Sequence, residues 1–234
     1  MTKKGKFIVI EGTDGSGKAS QTKFLAEKLL SLNIPYELAD FPQYEKPSAY
    51  FAEKYLRGEY GSAEEVGPYR GSIFYALDRY DKSFDIRQWL SEGKTVISNR
   101  YVSANMGHQA GKIKNEAARE KFLKWLVELE YGIFNIPKPD LTILLYVPPD
   151  VGQKFVDQKD QRAYTKGKKR DIHEADLKHL TDAAEAYLAV ARQQKWSVID
   201  YVKNGRILSL DEVRDLIWER VAKLLQLPHA GSKN

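Results

Sequence analysis

Gly12-Thr13-Asp14-Gly15-Ser16-Gly17-Lys18 lies between an apolar run, Lys6-Phe7-Ile8-Val9-Ile10, and a stretch of helical period carried by Phe24, Leu25, Lys28, Leu29 and Leu32. The spacing Gly-x-x-x-x-Gly-Lys is that of a loop gripping polyphosphate. At ordinary Gly and Lys frequencies, three fixed positions arise by chance in about one chain of this length in fifteen. Context therefore decides, and here a strand precedes the loop and a helix follows it. Glycines let backbone amides turn inward as an anion nest, and the helix N-terminus adds positive potential. Lys18 supplies an ammonium for the β- and γ-phosphates, and Ser16 and Ser20 supply hydroxyls. One position departs from the pattern. Ala19 follows the lysine where Ser or Thr would ligate Mg2+, so the ion needs other ligands, waters and a carboxylate among them.

Outward from the loop, apolar runs alternate with helical periods. Strands are expected at Tyr36–Phe41, Thr95–Ser98, Leu141–Val147 and Ser197–Tyr201. Helices are expected near Ala49–Leu56, Pro68–Ser91, Ala117–Glu130, Ala175–Gln194 and Leu210–Leu225. Such alternation implies crossover connections and an α/β fold, a five-stranded parallel sheet flanked by helices. Strands as uniformly apolar as Ile143-Leu144-Leu145 suit a sheet covered on both faces. The expected organisation is one domain over 1–227, with a basic lid insert at about 159–172 and a polar tail at 228–234.

The 234 residues are 42% apolar and 29% charged, with a net charge of +5 and no cysteine. Disulfides, thiolate nucleophiles and cysteine metal sites are thereby excluded. The longest apolar run, Leu141–Val147, is too short to span a bilayer. The expectation is a cytoplasmic protein with no membrane and no nucleic-acid partner. Its basic residues are not one block: they cluster at Lys3–Lys6, along helix faces, and in the segment from Lys159 to Arg170, which has no apolar period.

Further stretches extend the reading. Glu11–Lys18 with Ser20-Gln21, Asp40-Phe41-Pro42, Tyr75-Ala76-Leu77-Asp78-Arg79, Asn99-Arg100-Tyr101 with Ser103-Ala104-Asn105, and Pro137-Lys138-Pro139-Asp140 with Val147-Pro148-Pro149 occur in this order. Together they resemble the thymidylate kinase family of P-loop nucleoside-monophosphate kinases, across about residues 5–201. The resemblance implies transfer of the ATP γ-phosphoryl group to dTMP, assisted by Mg2+, in a homodimer.

Tyr75 and Arg79 lie four apart on a helix, hence on one face. The resemblance makes the ring a stacking surface for thymine and the guanidinium a base contact. Asn105 and Gln109, also four apart, carry amides that suit a pyrimidine edge. The resemblance puts His108 beside the sugar, and Phe41, Pro42 and Tyr44 are expected to wall the substrate pocket. Arg100, just past a strand end, has a fork-shaped guanidinium suited to the monophosphate. Many family members carry an Arg near Gln43 for that phosphate, and Asp where Asn99 stands. Asp14 is then the best remaining acid for Mg2+, and by resemblance bonds the substrate 3′-hydroxyl. Arg162 or Arg170 of the lid would stabilise the transferring group.

Two rivals stand beside this reading. One is a kinase for another acceptor, UMP, CMP or a deoxynucleoside. The other is a P-loop ATPase or regulator, which would need a second acidic strand end and basic stripes with aromatics outside the lid.

Overall fold

The computed structural model describes residues 4–157 and 177–227. The expected lid at 159–172, the start of the helix read from Ala175, and the tail at 228–234 lie outside these residues. Five strands, β1 (Phe7–Gly12), β2 (Tyr36–Asp40), β3 (Thr95–Asn99), β4 (Leu141–Tyr146) and β5 (Ser197–Asp200), form a parallel sheet in the order β2-β3-β1-β4-β5. Phe7 pairs with Val96 on one side of β1, and Ile8 with Leu141 on the other. Every residue of the central strand β1 is buried.

Side chains alternate across a strand, so β1 feeds two cores. Phe7 and Val9 face α3 (Ala63–Ser91), α4 (Val102–His108) and α5 (Glu116–Val127), packing with Ile86, Tyr101, Phe122 and Leu126. Ile8 and Ile10 face α1 (Lys18–Ser31) and α8 (Leu210–Leu225), packing with Leu25, Leu29, Ile217 and Val221. The remaining described helices are α2 (Tyr50–Leu56), α6 (Pro149–Asp157) and α7 (Leu177–Gln193). No described helix is long and apolar enough to cross a membrane.

Several boundaries differ from the sequence reading for identifiable reasons. α3 starts at Ala63, not Pro68, because Ser62 and Glu65 make a reciprocal capping box. The helix breaks at Gly67 (φ 73°, ψ 168°) just before Pro68, which has no N–H to donate. α5 ends at Val127, and a π-helical turn, Glu128–Ile133, replaces its expected last residues. The short helices α4 and α6, and a hairpin of β6 (Val202–Lys203) and β7 (Arg206–Ile207), carry too few residues for periodicity to reveal them.

α7 lies closely against α4, and two glycines make the approach. A Cβ at Gly107 would sit 2.4 Å from the Tyr187 ring, and one at Gly111 would sit 2.9 Å from the Ala183 nitrogen. Gly107→Ala is therefore expected to cost about 1–3 kcal/mol of folding stability through overpacking. Gly132→Ala, whose Cβ would meet the flexible Glu128 carboxylate, is the control. Urea unfolding compares them, and equal midpoints would contradict the close approach.

Candidate active site

The phosphate loop is built as its sequence requires. Gly15 (φ 81°) and Gly17 (φ 73°) adopt left-handed conformations that other residues resist. Gly15 also abuts α6, where a Cβ would lie 2.3 Å from the Gly152 carbonyl oxygen. Thr13 is stapled to the end of β4: its Oγ1 donates to the Val147 carbonyl (2.8 Å) and accepts from the Val147 N–H (2.9 Å). The Lys18 ammonium donates to the carbonyls of Gly12 (2.8 Å) and Thr13 (3.0 Å). Ser16 Oγ is buried with no hydrogen-bond partner among the described residues. A buried hydroxyl inside an amide nest suits a phosphate oxygen. Ala19 and Ser20 are exposed on the first turn of α1.

Arg100 completes a charged triangle with this loop. Its backbone is left-handed (φ 66°), its N–H donates to the Ile10 carbonyl (3.0 Å), and its carbonyl accepts from Ser98 Oγ (2.6 Å). Arg100 Nη2 donates to Asp14 Oδ1 (3.0 Å), and the same carboxylate oxygen stands 3.9 Å from Lys18 Nζ. Burial opposes charge on this guanidinium, but Asp14 together with Tyr187, Glu11 and Tyr44 outweighs it and holds the pKa well above the ordinary value. Arg100 Nη1 lies 3.1 Å from His108 Nε2. An arginine only donates, so that imidazole nitrogen carries its lone pair toward it.

The acid that precedes the loop was missed as a functional residue. Glu11 is fully buried, and its carboxylate accepts from Gly12 N–H (3.0 Å), Tyr187 Oη (3.0 Å) and Ser103 Oγ (2.8 Å). Burial, then the charge of Glu11, keeps the Tyr187 phenol pKa well above its usual range, so it remains a donor. A glutamate ending an otherwise apolar strand was the visible signal.

On the base side several of the expected residues are buried. Arg79 is 1% exposed, its Nε and Nη2 grip the Glu130 carboxylate, and its Nη1 faces the Tyr101 carbonyl (3.4 Å). Burial opposes this charge, and Glu130 raises the pKa regardless. Arg79 thereby holds α3 to the π-helical turn. Phe41 is likewise core, 5.6 Å from the Tyr101 ring. Pro42 is buried beside it, whereas Tyr44 is only partly buried. Gln43 clasps Asp78 of α3 through its N–H (2.8 Å) and Nε2 (2.9 Å). Tyr75 is partly buried, edge-on to Tyr55 at 6.1 Å. Asn105 and Gln109 are both buried on the α4 segment, facing Ser72 and Gly71 of α3. Arg162 and Arg170 lie outside the described residues.

A parallel sheet of this order, with the nest after β1 and Asp14, Lys18 and Arg100 gathered at its edge, defines a P-loop phosphotransferase. Comparison with known proteins narrows the class. The thymidylate kinase family profile matches residues 10–209. A thymidylate kinase of Mycobacterium tuberculosis is 31% identical over 186 residues, covering 78% of this chain and 85% of its own. One of Plasmodium falciparum is 26% identical over 214 residues, covering 92% and 90%. The solved thymidylate kinase of Candida albicans superposes with a TM-score of 0.72 at 20% identity, covering 95% of this chain and 93% of its own. The chain belongs to the thymidylate kinase family, and its reaction is phosphorylation of dTMP with ATP as donor. The rival acceptors and the regulator are not favoured.

The Arg79–Glu130 pair gives a sharp test. Glu130→Gln leaves a guanidinium that cannot lose its proton and is expected to cost about 3–5 kcal/mol in urea unfolding. Arg79→Met leaves a carboxylate that can protonate and should cost less. Were Arg79 a base contact, Arg79→Met would raise the dTMP KM with little loss of stability.

Proposed function

We propose that Lys18 and Arg100 divide the two phosphates of this reaction between them, with Asp14 as the spacer. The observation that carries the reading is the Asp14 carboxylate, 3.0 Å from Arg100 and 3.9 Å from Lys18. Lys18 leaves its own loop carbonyls for the β- and γ-phosphates of ATP. Arg100 takes the monophosphate of dTMP in a bidentate grip. An acceptor phosphate oxygen attacks the γ-phosphorus in line, and the bond to the β,γ-bridging oxygen breaks as ADP leaves. The acceptor is already an anion, so no general base is required. Asp14 also lies where it can meet the 3′-hydroxyl, and His108, steered by Arg100, flanks the sugar. Tyr44 and Pro42 wall the phosphate end. Tyr75, Asn105 and Gln109 receive the base.

Among the described residues no three His, Cys, Asp or Glu side chains converge on a metal position. Asp14 faces two cations, which suits positioning better than ligation. The residues that fit Mg2+ better are Asp40 and Asn99 at the ends of β2 and β3. Asn99 Nδ2 donates to Asp40 Oδ1 (2.9 Å), and the buried Asn99 Oδ1 has no hydrogen-bond partner among the described residues. These oxygens would steady the water shell of an ion bound to ATP, and the ion would neutralise phosphate charge. One domain acting in the cytoplasm completes the proposed reading.

The kinetic test is a panel of dTMP, dUMP, dCMP, UMP and thymidine with ATP. dTMP is expected to turn over fastest, and faster phosphorylation of thymidine or UMP would reject the acceptor. Arg100→Met is expected to lower kcat/KM for dTMP by about 10²–10³-fold while the ATP KM stays near its original value. Equal loss on both substrates would remove Arg100 from the acceptor phosphate.

A homodimer is the assembly we propose. Tyr69, Ile73, Leu77, Tyr80 and Phe84 make an exposed apolar stripe along α3, the kind of surface a second copy covers. Light scattering is expected to give twice the chain mass, and Leu77→Glu to give a monomer. A monomeric parent protein would exclude the assembly.

A further inference from the structure

The two amides on the α4 segment are each locked by a partner of one hydrogen-bonding sense. Asn105 Nδ2 donates to the Ser72 carbonyl of α3 at 3.2 Å. A carbonyl only accepts, so Asn105 must turn its nitrogen to Ser72, and its Oδ1 is the atom left for a ligand. Gln109 Oε1 accepts from the Lys112 ammonium at 2.7 Å. The protonated lysine only donates, so in that form Gln109 turns its oxygen to Lys112, and its Nε2 is the atom left for a ligand. Four residues apart on one face, the chain thus fixes an acceptor and a donor.

That pair has a chemical meaning. The N3–H and C4=O edge of a keto pyrimidine presents a donor beside an acceptor. Cytosine presents the reverse, a bare N3 beside an amino group. Free amides could rotate to read either, whereas locked ones read the keto edge and leave two mismatched contacts against cytosine.

Lys112 is the unusual member. Its ammonium also donates to Tyr55 Oη on α2 and faces the Ala63 carbonyl at 3.3 Å, while lying over the Tyr55 ring at 5.2 Å. All its donors are met by neutral oxygens. Burial draws its pKa down to about 7. A partly buried lysine facing only neutral oxygens is costly as mere packing. Its geometry is economical as a clamp: Tyr55, itself fully buried and edge-on to Tyr75, and Ala63 hold the ammonium, and the ammonium holds Gln109.

We infer that Lys112 is a positioning residue for base selection, fixing the Gln109 carboxamide so that its NH2 meets a pyrimidine carbonyl and discriminates thymine and uracil from cytosine. The inference rests on the proposed placement of Asn105 and Gln109 at the base. Gln109→Leu tests that placement separately.

The experiment measures kcat and KM for dTMP and dCMP in the intact enzyme, with a melting curve for each variant. Lys112→Met removes the donor and keeps the stem. The dTMP KM is expected to rise and the dTMP-to-dCMP ratio of kcat/KM to fall by about tenfold or more, with kcat for dTMP within about twofold. Lys112→Arg, which still donates, is expected to restore most of the ratio. Tyr55→Phe loosens the clamp without touching Gln109 and is expected to lower the ratio partway, which keeps the test open if Lys112→Met does not fold. A lowered melting temperature with an unchanged ratio in Lys112→Met or Tyr55→Phe would overturn the inference, since that is the signature of packing alone. If Gln109→Leu changes neither KM, the base placement itself fails. If Gln109→Leu raises the dTMP KM and Lys112→Met does not move the ratio, only the role of Lys112 falls.

Discussion

A carboxylate with no exposure to water organises this molecule. Glu11 ends the central strand, and its charge is tolerated because an N–H and two hydroxyls from separate parts of the chain converge on it. Hydrogen bonds to a charged group contribute about 1.5–3 kcal/mol each, and losing them would leave a buried ion costing several kcal/mol. Together they tie the phosphate loop to α4 and to α7. Gly107 makes the last connection, because only without a Cβ there can the Tyr187 ring pass close enough for its phenol to reach Glu11. Positions so distant in sequence become one rigid support for the loop.

That support explains how a second strained element is sustained. Arg100 takes a left-handed backbone at a cost of about 1–2 kcal/mol for a residue with a Cβ. Its N–H and C=O are bonded to β1 and β3, so the turn is fixed from both sides. The turn aims the guanidinium back across the strand ends to Asp14. Lys18 and Arg100 are thus held near one carboxylate before any phosphate arrives. Binding then exchanges neutral loop carbonyls around Lys18 for charged phosphate oxygens, a stronger class of hydrogen bond. The charge is organised in advance, which is where phosphoryl transfer gains most.

Legibility in the sequence followed the range of the interactions. The apolar runs Phe7–Ile10 and Ile143–Leu145 disclosed the parallel sheet, because burial on both faces leaves no polar alternation. Asp14, Lys18 and Arg100 were legible as a group, because a parallel sheet brings the loop after β1 beside the end of β3. Helical spacing puts Tyr75 and Arg79 on a common face, but it says nothing of what a third element brings there, and a π-helical turn brings Glu130 to Arg79. Phe41 packs at the margin of the core, which at the end of a strand is the same place in sequence as the start of a pocket. Tyr187 and Ser103 could not be read at all, since hydroxyls distant along the chain announce no partner until the backbone folds.

The site also separates two tasks that one segment connects. The chemistry is carried by strand ends and the loop, where charges are many and geometry is set by the sheet. In the proposed reading, base selection falls to the buried amides of α4, whose orientation is set by their neighbours. α4 begins two residues after Arg100 and runs through His108 to the Gln109 amide, so the proposed phosphate grip and base selection share one span. This bears on the substitutions at Ala19 and Asn99. Asp14 cannot be released to a metal without loosening Arg100, and loosening Arg100 disturbs the start of α4. A cation placed instead near Asp40 and Asn99 leaves that span untouched. The departure from the usual loop pattern would then fit the rest of the architecture: a metal held toward β2 and β3 would leave Asp14 with the two cations beside it.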